Sequence, residues 1–200
     1  QESIGFRRID TLLVSDDGRI SIPIADAFSG RHFDETVIHR HLPTFPLDKD
    51  GQGNAHVSFA FAAHRAVVDV DEELGLVRVV EVATSQDVGR VLNPVQARGQ
   101  IEGGITQGLG LAILEEIILK DGIIQNANFT DYLLPTALDT PEIQIAALIE
   151  EPEPGAPFGA KGIGEPPVIS STPAIVAAIR NATGLDLARV PVRPEDIALG

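Results

Sequence analysis

The chain has 200 residues, 44% of them hydrophobic and 22% charged, a balance that fits a soluble globular fold forming one domain or part of a larger one. Its formal net charge of -14, uninterrupted by any Lys/Arg block, repels polyphosphate and anionic headgroups, which argues against nucleic-acid and membrane-surface roles. Cysteine is absent, which excludes a disulfide, a thiolate zinc site or an iron–sulfur cluster built from this chain.

No apolar run approaches the roughly 18 residues of a membrane span, and QESIGFRRID has no signal-like apolar region, so a cytoplasmic location is expected. With no methionine, the chain reads as a fragment or a processed piece. Residues 1–50 read as a less regular lead-in of loops and one short helix, with turns at Asp16-Asp17-Gly18 and at 48–53 and the stretch ISIPIADAF between them. Residues 55–70, AHVSFAFAAHRAVVDV, then a turn at Asp71 to Gly75 and LVRVVEVAT, predict a strand–turn–strand. Val77 and Val79 would share one face, with Arg78 and Glu81 near the rims. SQDVGRVLNP at 85–94 reads as a polar loop.

Apolar residues at Ile101, Ile105, Leu109, Ala112 and Ile113 predict a helix from Gln96 to Leu119. Gly122 turns the chain, Pro141 opens a strand in PEIQIAALIE, and 152–167 is a loop dense in proline and glycine. Thr172-Pro173 then supplies an N-cap and first-turn proline for AIVAAIRNAT, which Gly184 stops. The fold class expected is α+β, with mixed β-sheets and two principal helices, Gln96–Leu119 and Pro173–Thr183. No repeat of solenoid length is present.

Two places suggest chemistry. The first helix carries Gly103, Gly104, Gly108 and Gly110, each less favourable than alanine by about 0.8 to 1 kcal/mol inside a helix. Either close packing offsets that, or a ligand does: Gln100, Gly104 and Gln107 fall on one face, where two amides and bare backbone could bind a heterocycle or a phosphate. In PEPGAPFGAKGIGEPP, Glu165 sits among residues that control the backbone, and a carboxylate so held, in poor contact with water, suits a general base. The alternative is a solvated loop in which Glu165 and Lys161 form a surface ion pair. His39 and His41 are the closest histidine pair, but no HExxH pattern accompanies them, and surface or loop hydrogen bonding is the expected role. Ser170-Ser171-Thr172 lacks a GxSxG context and reads as a helix cap.

Three stretches, QDVGRVLNP (86–94), GQIEGGITQGLGLAILEE (99–116) and GAKGIGEPP (159–167), resemble in order and spacing the C-terminal part of the molybdopterin-binding subunit of the xanthine dehydrogenase and aldehyde oxidase family. The similarity runs from about His39 to the C-terminus. The resemblance implies that Glu165 is the active-site base and that Gln100 hydrogen-bonds the molybdenum cofactor. Lys161, Gly162 and Gly164 are implied to shape the loop beside that cofactor. It further implies proton removal from a hydroxyl on the molybdenum, attack of that oxygen on an electron-poor carbon while hydride passes to the sulfido ligand, and product oxygen drawn from water. The cofactor would be shared with upstream segments, with iron–sulfur clusters and FAD on other domains or subunits, so the chain alone should be inactive. HRHLPTFPLDKDGQGNAHVSFAFAAH at 39–64 looks most like bacterial xanthine dehydrogenase and favours a purine substrate, hypoxanthine or xanthine going to urate. An aldehyde or another N-heterocycle is the alternative substrate, and a non-catalytic structural piece the alternative role.

Overall fold

The structure, a computed structural model, describes residues 5–31 and 34–200. It divides into two compact units, Gln1–Arg40 and His41–Gly200.

The first unit corrects the expectation of loops. β1 (Phe6–Ile9), β2 (Leu12–Ser15) and β3 (Ser21–Pro23) form an antiparallel three-stranded sheet in that order, followed by the expected short helix, α1 (Ile24–Ala27). Strands of three or four residues are too short to show an alternating pattern, and it is their turns that define them. At the Asp16-Asp17-Gly18 turn the Ser15 hydroxyl donates to Asp17 Oδ1 (2.6 Å) and accepts from Ile20 N (2.9 Å).

The second unit is built on β4 (Ala62–Asp71), β5 (Leu76–Asp87), α2 (Pro94–Ile113), β6 (Leu119–Lys120), β7 (Ile123–Ile124), β8 (Glu142–Ile149), a 3-10 turn (Pro157–Gly159), α3 (Pro166–Thr183) and α4 (Pro194–Ala198). β5 is the central strand of a mixed sheet, antiparallel to β4 and parallel to β8. The strand expected from residue 55 begins only at Ala62, the first residue in register with β5, and of 55–61 Phe61 O accepts from Asp87 N at 2.8 Å. β5 in turn runs on to Asp87, through residues expected to be loop.

A bulge explains the changed pattern. Val67 faces Glu81 while Val68 faces Val79, so Val80 is the extra residue and the inward phase of β5 shifts by one. Val79 and Val82 therefore both enter the core, and the inward series continues as Thr84 and Gln86. On the exposed side, cross-strand ion pairs join Arg78 to Asp69 (3.0 Å) and Arg65 to Glu81.

The apolar stripe of α2 is as expected: Ile101, Ile105, Leu109 and Ala112 are fully buried and meet Ile175 and Ile179 of α3 in one cluster. Each of the isoleucine and leucine side chains contributes about 1.5 to 3 kcal/mol. The helix starts at Pro94, behind an Asn93 cap whose side chain accepts from Gln96 N. It ends at Ile113 rather than Leu119, because Leu114 N and Glu115 N both donate to Gly110 O and close the last turn. Of the two readings left open for the glycines, Gly104 and Gly108 fit close packing, whereas Gly103 meets no neighbour. A Cβ on Gly104 would lie 2.7 Å from Pro167 Cβ, and one on Gly108 would lie 3.2 Å from Ser171 Cβ.

α3 corrects the predicted start at Pro173. Its N-cap is Glu165, and Pro166 and Pro167 occupy the first two positions, where a missing N–H removes no helical bond. Ser170, Ser171 and Thr172 are therefore not a cap but part of the helix, with hydroxyls bonded to the carbonyls of Pro166, Val168 and Gly108. Gly184 ends the helix as expected, with φ 73°. No helix among the described residues is long and apolar enough to cross a membrane.

Candidate functional site

The segment that leaves β5 and the loop before α3 are fastened together backbone to backbone. Arg90 N donates to Gly159 O (2.9 Å), Lys161 N donates to Val88 O (3.1 Å), and Gly89 bridges Ala160. Gly89 makes this approach possible: its φ is 61°, and a Cβ there would stand 2.8 Å from Lys161 N.

Beneath the backbone bridge lies a buried ion pair. Lys161 Nζ is 2.6 Å from Asp87 Oδ2, with 7% of each side chain exposed, and Gly89 N donates to Asp87 Oδ1 (3.1 Å). Burial opposes the Asp87 charge most strongly. The Lys161 hydrogen bond, the Gly89 N–H and the ammonium charge together outweigh it and hold the carboxyl below the ordinary Asp range. The Lys161–Glu165 surface pair of the alternative reading is thus not formed; the lysine faces inward, to a partner on β5.

Gln100 and the 162–165 loop are brought side by side. A Cβ on Gly164 would lie 3.8 Å from Gln100 Oε1. On the Gln100 side is a cavity of about 220 Å³ lined by Arg90, Asn93, Gln96, Gln100, Lys161 and Ile163, among others. On the other side is one of about 400 Å³, whose lining includes His56, Phe59, Gly162, Gly164, Glu165 and Ile169. Lys161 borders both. All five predicted site residues therefore lie on one loop–helix junction. Glu165 itself is exposed, so the poor contact with water expected for it is not a property of this chain.

The open helix face differs from expectation by one residue. Gly104 is covered by Pro167, whereas a Cβ on Gly99 or Gly103 would meet nothing within 4 Å. By helical spacing Gln96, Gly99, Gln100, Gly103 and Gln107 share a stripe in which side-chain amides alternate with bare backbone. That donor set, with the Arg90 guanidinium and Asn93 amide beside it, fits a large cofactor with a polar, anionic periphery.

Sequence reasoning missed Asp87 and a second polar group behind the loop. His64 on β4 lies between Gln86 of β5 (Nε2 to Nε2, 3.2 Å) and Ser170 of α3 (Nδ1 to Oγ, 2.8 Å), and burial lowers its pKa from the usual His value. The inward positions of Thr84 and Gln86, where polar side chains need partners, show only once the register of β5 is known. His41 Nδ1 lies 2.6 Å from Leu42 O on the surface. Among the described residues no group of three or more His, Asp or Glu is placed to hold a metal ion directly.

Residues 16–141 match the Molybdopterin cofactor-binding domain family. A putative xanthine dehydrogenase molybdenum-binding subunit of Escherichia coli K12 is 37% identical over 138 residues, which is 68% of this chain and 18% of that protein. The aldehyde oxidoreductase structure from Desulfovibrio desulfuricans superposes with a TM-score of 0.72 at 30% identity, covering 79% of this chain and 17% of that one. Quinoline 2-oxidoreductase from Pseudomonas putida 86 gives a TM-score of 0.69 at 28% identity, over 96% of this chain and 25% of that one. The chain thus spans a quarter or less of the length of these relatives. On a match that covers more than half its residues, the chain belongs to the molybdopterin cofactor-binding domain family.

Proposed function

We propose that this chain is the C-terminal portion, residues 1–200, of the molybdopterin-binding subunit of a molybdenum hydroxylase, with Glu165 as its general base. The observation that carries the reading is the junction itself. A carboxylate on a proline-bounded loop and an amide face on α2, far apart in sequence, meet where Gly164 lies against Gln100.

In this reading Gln100 hydrogen-bonds the cofactor, which when bound supplies the two-electron redox chemistry. Gly162 and Gly164 let the loop approach it without side chains. Lys161 shapes the loop from within, through Asp87. Glu165 removes the proton from the attacking oxygen. For that task it must be ionised at rest and able to hold a proton in the transition state, and a glutamate near neutral pH meets both demands. The remainder of the subunit would complete the pocket and withdraw Glu165 from water. Iron–sulfur and FAD domains or subunits would carry the electrons away.

The substrate class we favour is a purine, xanthine or hypoxanthine going to urate, supported by the similarity to xanthine dehydrogenase subunits. The aldehyde and quinoline enzymes among the relatives support the other reading, an aldehyde or N-heterocycle substrate. The test is urate formation from xanthine by the complete molybdenum-loaded enzyme, wild type against Glu165→Gln at equal molybdenum content. Loss of turnover by several orders of magnitude is expected. Retained turnover overturns the base assignment, and a wild type active on aldehydes but not on xanthine moves the substrate to the second reading.

A further inference from the structure

Four side chains from three elements form one hydrogen-bonded chain that ends on the residue next to Glu165. Thr84 Oγ1 donates to Ala63 O (3.1 Å), and Gln86 Nε2 donates to Thr84 Oγ1 (2.7 Å) and to His64 Nε2 (3.2 Å). His64 Nδ1 lies 2.8 Å from Ser170 Oγ, and Ser170 Oγ donates to the Pro166 carbonyl at 3.0 Å.

The proton on each link follows from chemistry. The Gln86 nitrogen has only donors, so His64 Nε2 accepts, and in the neutral ring the proton must then sit on Nδ1. That N–H donates to Ser170 Oγ, which leaves the serine proton free for Pro166 O. A doubly protonated ring would set N–H against N–H at Gln86 and break the chain.

One end of this chain is rigid and the other is in need of support. Gln86 and Thr84 are 1% and 2% exposed, within the central strand of the sheet. The first turn of α3 has no side-chain cap, and its two opening prolines bring no N–H. The Glu165 carbonyl accepts from Val168 N and Ile169 N at 2.9 and 3.1 Å, but among the described residues no side chain ties that turn to the sheet more directly than Ser170 through His64.

We infer that His64 is a positioning residue: through Ser170 it fixes the first turn of α3 against the sheet and so sets where Glu165 stands relative to the Gln100 face. Its effect on turnover rests on the reading of Glu165 as the base; its effect on the turn does not.

The test uses the complete molybdenum-loaded enzyme with His64→Leu, Ser170→Ala and His64→Asn, the last keeping an N–H in place for Ser170. His64→Leu and Ser170→Ala are expected to lower kcat by about 10- to 100-fold, the scale of a misplaced catalytic group, with KM and molybdenum content near wild type. His64→Asn should recover most of that loss. In the same proteins, hydrogen exchange of peptides covering residues 162–172 should quicken by about tenfold in the first two variants and stay slow in the third. Unchanged exchange there in His64→Leu overturns the inference, as does equal quickening across β4, β5 and α2, the mark of general destabilisation. A quickened turn with kcat intact overturns the catalytic half. Should Glu165→Gln retain turnover, the base reading falls alone, and the exchange result still decides the role of His64.

Discussion

Lys161 and Asp87 form the buried tie of the site: 2.6 Å apart, both almost wholly shielded, they join the loop before α3 to the last residue of β5. Removing one partner of such a pair strands the other charge, whereas replacing both by apolar groups removes the problem. Lys161→Met is expected to destabilise the folded protein by about 3 kcal/mol or more, and Lys161→Met with Asp87→Leu to recover much of that. Thermal unfolding of the complete protein reads both. If the double variant is worse than either single one, the pair is a net stabiliser.

Buried Asp87 and half-buried His64 give two successive steps of one acid limb. Asp87 has its pKa depressed, since the Lys161 hydrogen bond and charge with the Gly89 N–H outweigh burial. Its contribution is therefore complete above the unfolded Asp value and is lost as pH falls through a lower folded value. His64 is also depressed, by burial alone, so the unfolded chain takes up its proton first. Stability should begin to fall as pH drops below about 6.5, the ordinary His value. His64→Asn should flatten the limb below that value, and Asp87→Asn, compared with wild type, the strongly acid limb. Denaturant midpoints measured across pH 3 to 8 would show it.

Adjacent glycines of α2 should respond with opposite sign. Gly104→Ala drives a methyl onto Pro167 and is expected to cost about 1 to 3 kcal/mol, as overpacking does. Gly103→Ala meets nothing and should stabilise by up to about 1 kcal/mol, the helix-propensity gain. The same alanine stands on the proposed cofactor face, so molybdenum retention in the complete enzyme should drop for Gly103→Ala even as its melting temperature rises. Full retention would place the cofactor elsewhere.

What could be read in advance follows from which forces are local. The stripe from Ile101 to Ala112, the strand after Pro141 and the stop at Gly184 are short-range patterns, and all three stand in the structure. The start of α3 was misplaced because two prolines compete for it. Pro173 is tolerated inside the helix because it lies on the exposed side, where its ring meets solvent rather than the core. The strand character of Ser85 to Asp87 was hidden because a bulge at Val80 shifts the phase of the alternation. Of the proposed site, Gln100 and Glu165 are named from the family resemblance, and the structure brings their elements side by side. Asp87 and His64 were not legible, since their partners Lys161 and Ser170 lie 74 and 106 residues away.

The mixed sheet also sets an order of assembly. β4 and β5 are joined by a four-residue turn and can close early, while β8 reaches β5 only after the long excursion through α2 and the β6–β7 hairpin. Loop-closure entropy grows with that separation, and parallel pairing carries no compensating local turn. Until β8 docks, the 159–165 loop has no fixed edge from which to meet Gly89. Since α2 buries its stripe chiefly against α3, and Glu165 opens that helix, the amide face and the carboxylate come into place in one late step rather than one after the other.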